Sequence, residues 1–237
     1  KIFKKMKKIL FVTGTRADYG KLKSLIKIVQ KSKKFKGYVF VTGMHTLKKY
    51  GSTFIELKKD KIKNISTFNN QKNFKSMSLI LAETIKGFNI IRKKIKPDLT
   101  VVHGDRVEPM GCALDCVLNN YKVAHIEGGE VSGTVDELIR HSISKIAQFH
   151  FVSNLTAKKR LIQMGEKKNT IFVIGSPDID TILSKKLPKI SYLKKKYKID
   201  FDNYGIAMLH PVTTDIENIR KNVRIFFSTL KKSKKKY

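Results

Sequence analysis

"VAHIEGGEVSGTVDELIRH", residues 123 to 141, strings together a short apolar run, a glutamate, two glycines and a segment of helical period. The run reads as a strand finishing at Glu127. Gly128-Gly129 turn the chain tightly, and Thr134 with Glu137 three residues later has the spacing of a capping box at a helix start. A strand that passes through a glycine turn into a helix is the unit of a parallel sheet with crossover helices. The same pattern recurs on both sides. It predicts strands at Lys8 to Thr13, Tyr38 to Thr42, Leu99 to His103, Lys122 to Ile126, Phe149 to Ser153 and Ile171 to Ile174, with helices in the gaps. After the first strand, Tyr19, Leu22, Leu25, Ile26 and Val29 form one apolar helix face. Leu81, Ile85, Phe88 and Ile91 form another before the Lys96-Pro97 break. The fold class is α/β, with a Rossmann-type parallel sheet.

The 237 residues allow one large domain or one domain plus part of another. Hydrophobic residues make up 41% of the chain, and no apolar run approaches the ~20 residues of a membrane span, so a soluble protein without a membrane partner is expected. The apolar stretch near the start, Ile9 to Val12, reads as a buried strand rather than a signal peptide. Cys112 and Cys116 lie four apart in an apolar segment without zinc spacing, so buried thiols in a reducing cytoplasm are expected, with no metal.

The charge is unusual: 50 Lys and Arg against 19 Asp and Glu, a formal +31. Such a balance invites a nucleic-acid reading, because basic side chains neutralise phosphates. Only seven of the 50 are Arg, and the lysines are scattered over nearly every helix and loop rather than gathered on one stripe with aromatics. A lysine-rich solvated surface is the preferred reading, including the terminal KKSKKKY. A non-catalytic basic module that binds nucleic acid is the rival.

At "VIGSPDID" the rhythm changes, with Gly175, Ser176 and Pro177 punctuating the last strand. The expected domains are therefore 1–177, and 178–237 as a linker plus an incomplete second Rossmann-like domain. In the latter a strand over Gly205 to Leu209 leads through His210-Pro211 to a helix near Asp215. One such unit cannot enclose a core by itself.

In open parallel sheets, ligands occupy the crevice beyond the carboxyl ends of the strands. Four segments put chemistry there. In "VTGTRADYG", residues 12 to 20, Arg16 stands at a helix start whose free N–H groups suit a phosphate, although Arg16 also fits a surface role. In "VHGDRVEP", residues 102 to 109, Asp105 and Arg106 leave the sheet after His103; Asp105 is either a helix cap or a site acid. In the opening segment Asp136 and Glu137 have ordinary places in a first helical turn, and the glycine turn carries Glu130 over the strand end. Glu127 has no such explanation, because a carboxylate ending a buried strand must be solvated, paired or used. The fourth is His210, at another strand's end.

Taken in order, "FVTGTRADYGKL", "TGMH", "VVHGDRVEP", "AHIEGGEVSGTVDELIRHSISK", "FVIGSPDID" and "LHPVTT" resemble the hydrolysing UDP-N-acetylglucosamine 2-epimerases of the sialic-acid branch and their relatives acting on UDP-N,N'-diacetylbacillosamine in the legionaminic-acid pathway. The resemblance implies a GT-B-like two-domain fold, a UDP-sugar substrate, a homo-oligomer and neither metal nor nicotinamide cofactor. It implies Asp105, Glu127 and Asp136 as acid/base residues and His210 near the departing UDP. Arg16, His45, Arg106, Glu130 and His141 are implied as substrate-binding residues. The implied reaction eliminates UDP to a 2-acetamidoglucal and hydrates it to N-acetylmannosamine. The strand-helix units that in such enzymes hold the uridine have no match here, so a truncated member with weak UDP binding and little turnover is expected.

Overall fold

The chain divides into two compact units, Lys1–Lys185 and Lys186–Tyr237. A computed structural model describes residues 6–71, 76–183, 187–209 and 217–237. In the first unit β1 (Lys7–Thr13) leads into α1 (Arg16–Lys31), β2 (Phe35–Val41), the short α2 (Ile55–Lys59) and β3 (Ile65–Thr67). There follow α3 (Met77–Ile95), β4 (Leu99–His103), α4 (Val107–Leu118), β5 (Val123–Ile126) and α5 (Val135–Ile146). The unit ends with β6 (Phe149–Val152), α6 (Leu155–Gln163), β7 (Ile171–Val173) and α7 (Pro177–Ile182).

All seven strands form one parallel sheet in the order β3-β2-β1-β4-β5-β6-β7. The order reverses beside β1, which puts the topological switch point between β1 and β4, where parallel sheets open a crevice for ligands. Six strands lie where the sequence predicts them. The seventh, β3, pairs with β2 over three residues, too few for a period of two to register.

Alternation along the strands sorts the core. Leu10, Val12 and Val102 face one side with Phe88, Cys112, Cys116 and Ile143 from α3, α4 and α5. Phe11, Val101 and Ala124 face the other, against Tyr19, Leu22 and Ile26 of α1 and Leu57 of α2. Each fully buried Leu, Ile or Phe contributes about 1.5–3 kcal/mol. Both cysteines are free and buried, and burial pushes the Cys116 thiol up to about 12. Between α3 and α4, Arg92 and Asp115 form an ion pair that is almost fully buried, capped by Tyr121, whose ring centre lies 4.6 Å from the guanidinium carbon.

The second unit holds α8 (Ile190–Tyr197) and α9 (Ile219–Lys232). The strand expected over Gly205 to Leu209 is not formed. A strand needs a neighbour to take its backbone bonds, and among the described residues of this unit none pairs with it; the Gly205 N–H donates to the Lys236 carbonyl at 2.8 Å instead. The helix expected near Asp215 begins at Ile219. His210 and Asp215 lie outside the described residues. Among the described residues, no helix is long and apolar enough to cross a membrane.

Candidate active site

Glu127 follows β5 with a left-handed backbone, φ 61°, a conformation that costs a non-glycine residue energy and recurs at functional turns. Its amide donates to the Phe151 carbonyl of β6 at 2.9 Å, so the residue turns while still tied to the sheet. The turn aims the carboxylate at three donors. Lys21 Nζ on α1 and His103 Nε2 at the end of β4 lie 2.7 and 3.0 Å from Oε2, and Ser176 Oγ after β7 donates to Oε1 at 3.1 Å. Burial alone would raise the Glu127 pKa, but the bonds from His103 and Lys21 overcome it and hold the group down at about 2. For Lys21 burial works against the charge, and Glu127 outweighs it, raising the ammonium pKa.

His103 is 7% exposed and stands between two acids. Its Nδ1 lies 3.3 Å from Asp18 Oδ1. Burial opposes its charge, yet the bonds to Asp18 and Glu127 lift its pKa to about 9. Asp18 itself completes a capping box at the start of α1, accepting from the Thr15 amide at 2.9 Å while its own amide donates to Thr15 Oγ1 at 3.2 Å. Burial would raise the Asp18 pKa; the His103 bond more than offsets it, and the group is lowered.

A second cluster lies beside the first. Asp105, two residues past β4, pairs with Arg140 of α5. Arg140 Nη1 also donates to the Glu130 carbonyl at 2.9 Å, so one guanidinium joins the loop after β4 to the loop after β5. Asp105 therefore does not cap α4, whose N-cap is Arg106 without a side-chain cap bond. Arg106 turns to the fully buried Glu108, Nε to Oε2 3.2 Å. The glycine turn is packed hard: Gly129 has φ 81°, and a Cβ there would lie 2.6 Å from the Ala157 carbonyl of α6.

The remaining expected residues divide by exposure. Asp136 is exposed on the first turn of α5, and its carboxylate forms neither hydrogen bond nor ion pair with the described residues. The Glu130 carboxylate accepts from Asn154 Nδ2 at 2.9 Å. Arg16, largely exposed at the start of α1, pairs with Glu56 at 3.0 Å. His141 approaches Glu137 at 3.8 Å, and its Nδ1 is buried without a partner. His45 is fully buried, its ring bonded to Thr13 and Thr53 hydroxyls at 3.0 and 2.7 Å, and burial pushes its pKa down to about 4. The ring is therefore neutral and held by a hydroxyl at each nitrogen. The capping box expected at α5 is not formed: Thr134 makes no side-chain cap bond, and Glu137 Oε2 accepts the Ser132 and Gly133 amides, ahead of the N-cap, at 2.6 and 2.7 Å instead.

Sequence reasoning did not mark Asp18, Lys21, Arg140 or Ser176 as site residues. Asp18 was readable as a capping residue of the TRAD stretch. Lys21 carried no signal, being one lysine among many and 106 positions from Glu127.

Residues 27–237 match the family model described as UDP-N-acetylglucosamine 2-epimerase. The chain belongs to this family. It is 42% identical over 228 residues to the UDP-N-acetylglucosamine 2-epimerase of Neisseria meningitidis serogroup B, covering 96% of this chain and 60% of that protein. It is 37% identical over 221 residues to the UDP-N,N'-diacetylbacillosamine 2-epimerase (hydrolyzing) of Legionella pneumophila, covering 91% of this chain and 58% of that one. Thus this 2-epimerase family member spans about 60% of the length of these relatives. The crystal structure of the Methanocaldococcus jannaschii UDP-GlcNAc 2-epimerase in complex with UDP-GlcNAc and UDP superposes with a TM-score of 0.78 at 21% identity, covering 96% of this chain and 64% of that chain. The architecture is GT-B-like α/β, with a Rossmann-type parallel sheet in the first unit.

Proposed function

We propose that the protein is a hydrolysing UDP-sugar 2-epimerase that converts UDP-N-acetylglucosamine and water to UDP and N-acetylmannosamine. The observation that carries this reading is the ionised Glu127, clamped by Lys21, His103 and Ser176 at the carboxyl end of β5 in a member of this family. Epimerisation at C2 with loss of UDP requires a base at the C2 hydrogen, a charge-stabilised leaving pyrophosphate and an acid on the opposite face.

Glu127 takes the C2 proton. A carboxylate held at about 2 is a weak base, so the C1–O bond must break ahead of proton removal. As the bonding pair leaves with the pyrophosphate, the ring becomes electron-poor and the C2–H acidic. Proton loss then forms the C1–C2 double bond of the glucal. Asp136, exposed to solvent, takes a proton from it and delivers that proton to the opposite face of C2, while water adds its oxygen at C1. The water's remaining proton and the one taken by Glu127 pass to solvent. Asp105, fixed by Arg140, orients the sugar from the neighbouring loop. Arg16 exchanges Glu56 for a pyrophosphate oxygen, and His210 serves near the departing UDP. Arg106, Glu130 and His141 border the substrate as secondary contacts. The protein acts as a homo-oligomer without a metal or nicotinamide cofactor, in the cytoplasm.

The 37% identity to the Legionella pneumophila enzyme favours UDP-N,N'-diacetylbacillosamine as the second reading. Incubation of the chain, and of a form extended to its relatives' length, with each UDP-sugar in D2O tests both. UDP release with one deuterium at C2 of the product is expected, and the preferred sugar names the substrate. Product without deuterium, or no UDP from the extended form, would overturn the proposal. Glu127→Gln is expected to cut turnover of the active form by about 100-fold or more, with the circular dichroism spectrum unchanged.

A further inference from the structure

We propose that His103 is a positioning residue, spanning Asp18 and Glu127 with one ring nitrogen on each, so that the first turn of α1 sets the orientation of the Glu127 carboxylate. A neutral imidazole carries one N–H and can donate to only one of two acceptors. Asp18 Oδ1 and Glu127 Oε2 both face ring nitrogens, at 3.3 and 3.0 Å, and an ionised carboxylate has no hydrogen to give back. Both contacts are satisfied only when the ring holds two protons. The imidazolium then fastens Oε2 from below the strand ends, while Lys21 reaches the same oxygen from α1 and Ser176 holds the other.

The remaining described histidines show that this arrangement is particular. His45 meets two hydroxyls, and His125 meets the Gly104 carbonyl and the Ser144 hydroxyl, pairings that a neutral ring satisfies. His150 and His141 each approach one carboxylate and leave Nδ1 without a partner. Among the described residues, only His103 has a carboxylate at each nitrogen. Asp18 is itself immobilised, since its other oxygen accepts from the Thr15 amide and hydroxyl, both at 2.9 Å, and from the Gly14 amide at 3.3 Å. A rigid helix cap thus transmits its position through one ring to the reacting group. Groups acting on this ring from the packed elements are Asp18 and Lys21 of α1, His125 of β5 and Glu127 after it. Arg106 acts through Asp18, and Asp178 acts through Lys21.

The consequence for turnover rests on the 2-epimerase reading, but the test does not. Nitrogen-15 spectra of the chain without substrate report each imidazole nitrogen. Two protons on His103 at about pH 7.5, where a free histidine is mostly neutral, are expected. Asp18→Asn is expected to lower the His103 midpoint by at least one unit, and His103→Gln to raise the Glu127 carboxyl midpoint, followed by carbon-13 shifts, by about one unit. A singly protonated His103 at that pH in the unaltered chain would sink the proposal whether or not either variant folds. So would a Glu127 midpoint that ignores His103→Gln. A chain that releases no UDP leaves these titrations intact and counts only against the enzymatic reading.

Discussion

At the residue scale, the cluster around Glu127 ties stability to pH in two directions. Glu127 has its pKa lowered from 4.5 to about 2, so the stability it contributes is complete above 4.5 and is lost as pH falls through about 2. His103 is raised from 6.5 to about 9, so its contribution is complete below 6.5 and is lost as pH rises through about 9. The two overlap fully between pH 4.5 and 6.5. A thermal midpoint that plateaus in that window and declines on both sides is expected from calorimetry. In His103→Gln the alkaline decline should flatten, because the group that titrates there is gone. The opening glutamate was legible as an acid in need of a use; its partners were not. His103 stood in view at the end of its strand, but Lys21 and Ser176 reach Glu127 across 106 and 49 positions, and nothing local to either announces it.

At the element scale, the loop between β5 and α5 depends on how closely it passes α6. Gly129→Ala places a methyl 2.6 Å from a carbonyl at φ 81°, so a strained backbone and a backbone clash add. A loss of about 2 kcal/mol or more in urea unfolding is expected, with turnover in the active form falling along with it. The α3–α4 contact is a separate case. Asp115→Ala leaves the Arg92 guanidinium buried without its partner and strands the Asn89 amide that donates to Asp115 at 2.7 Å. Breaking a buried pair in this way costs about 3–5 kcal/mol. Denaturant melts should show that loss while the pH dependence from the Glu127 cluster persists, since the two sites share no residue. Helices and strands of the first unit were legible because apolar periods of 3.6 and two are local signals. The strand expected over Gly205 to Leu209 was misread for the complementary reason: its apolar run is real, but a strand exists only with a paired neighbour.

At the scale of the whole molecule, the formal charge of +31 works against compactness, since like charges repel across the surface. Raising ionic strength shortens the Debye length to about 8 Å at physiological salt and weakens that repulsion. The thermal midpoint should therefore climb from low to moderate salt. Polyanion resins will retain such a chain, and a steep fall of retention with salt is expected from charge alone. What separates the enzyme from a basic module is Glu127→Gln, which should leave that retention unchanged while removing turnover.

The sequence by itself determined the α/β class, six of the seven strands, and the family, because periodicity, turn glycines and motif order are properties of neighbouring residues. It also pointed to Asp105 and Glu127, which stand at strand ends that any parallel sheet gathers on one edge. Only the tertiary structure decided what each acid touches. Asp105 pairs with Arg140, His103 bridges Asp18 and Glu127, and His45 is fully buried, because these contacts depend on which strands lie side by side and how deeply each helix packs.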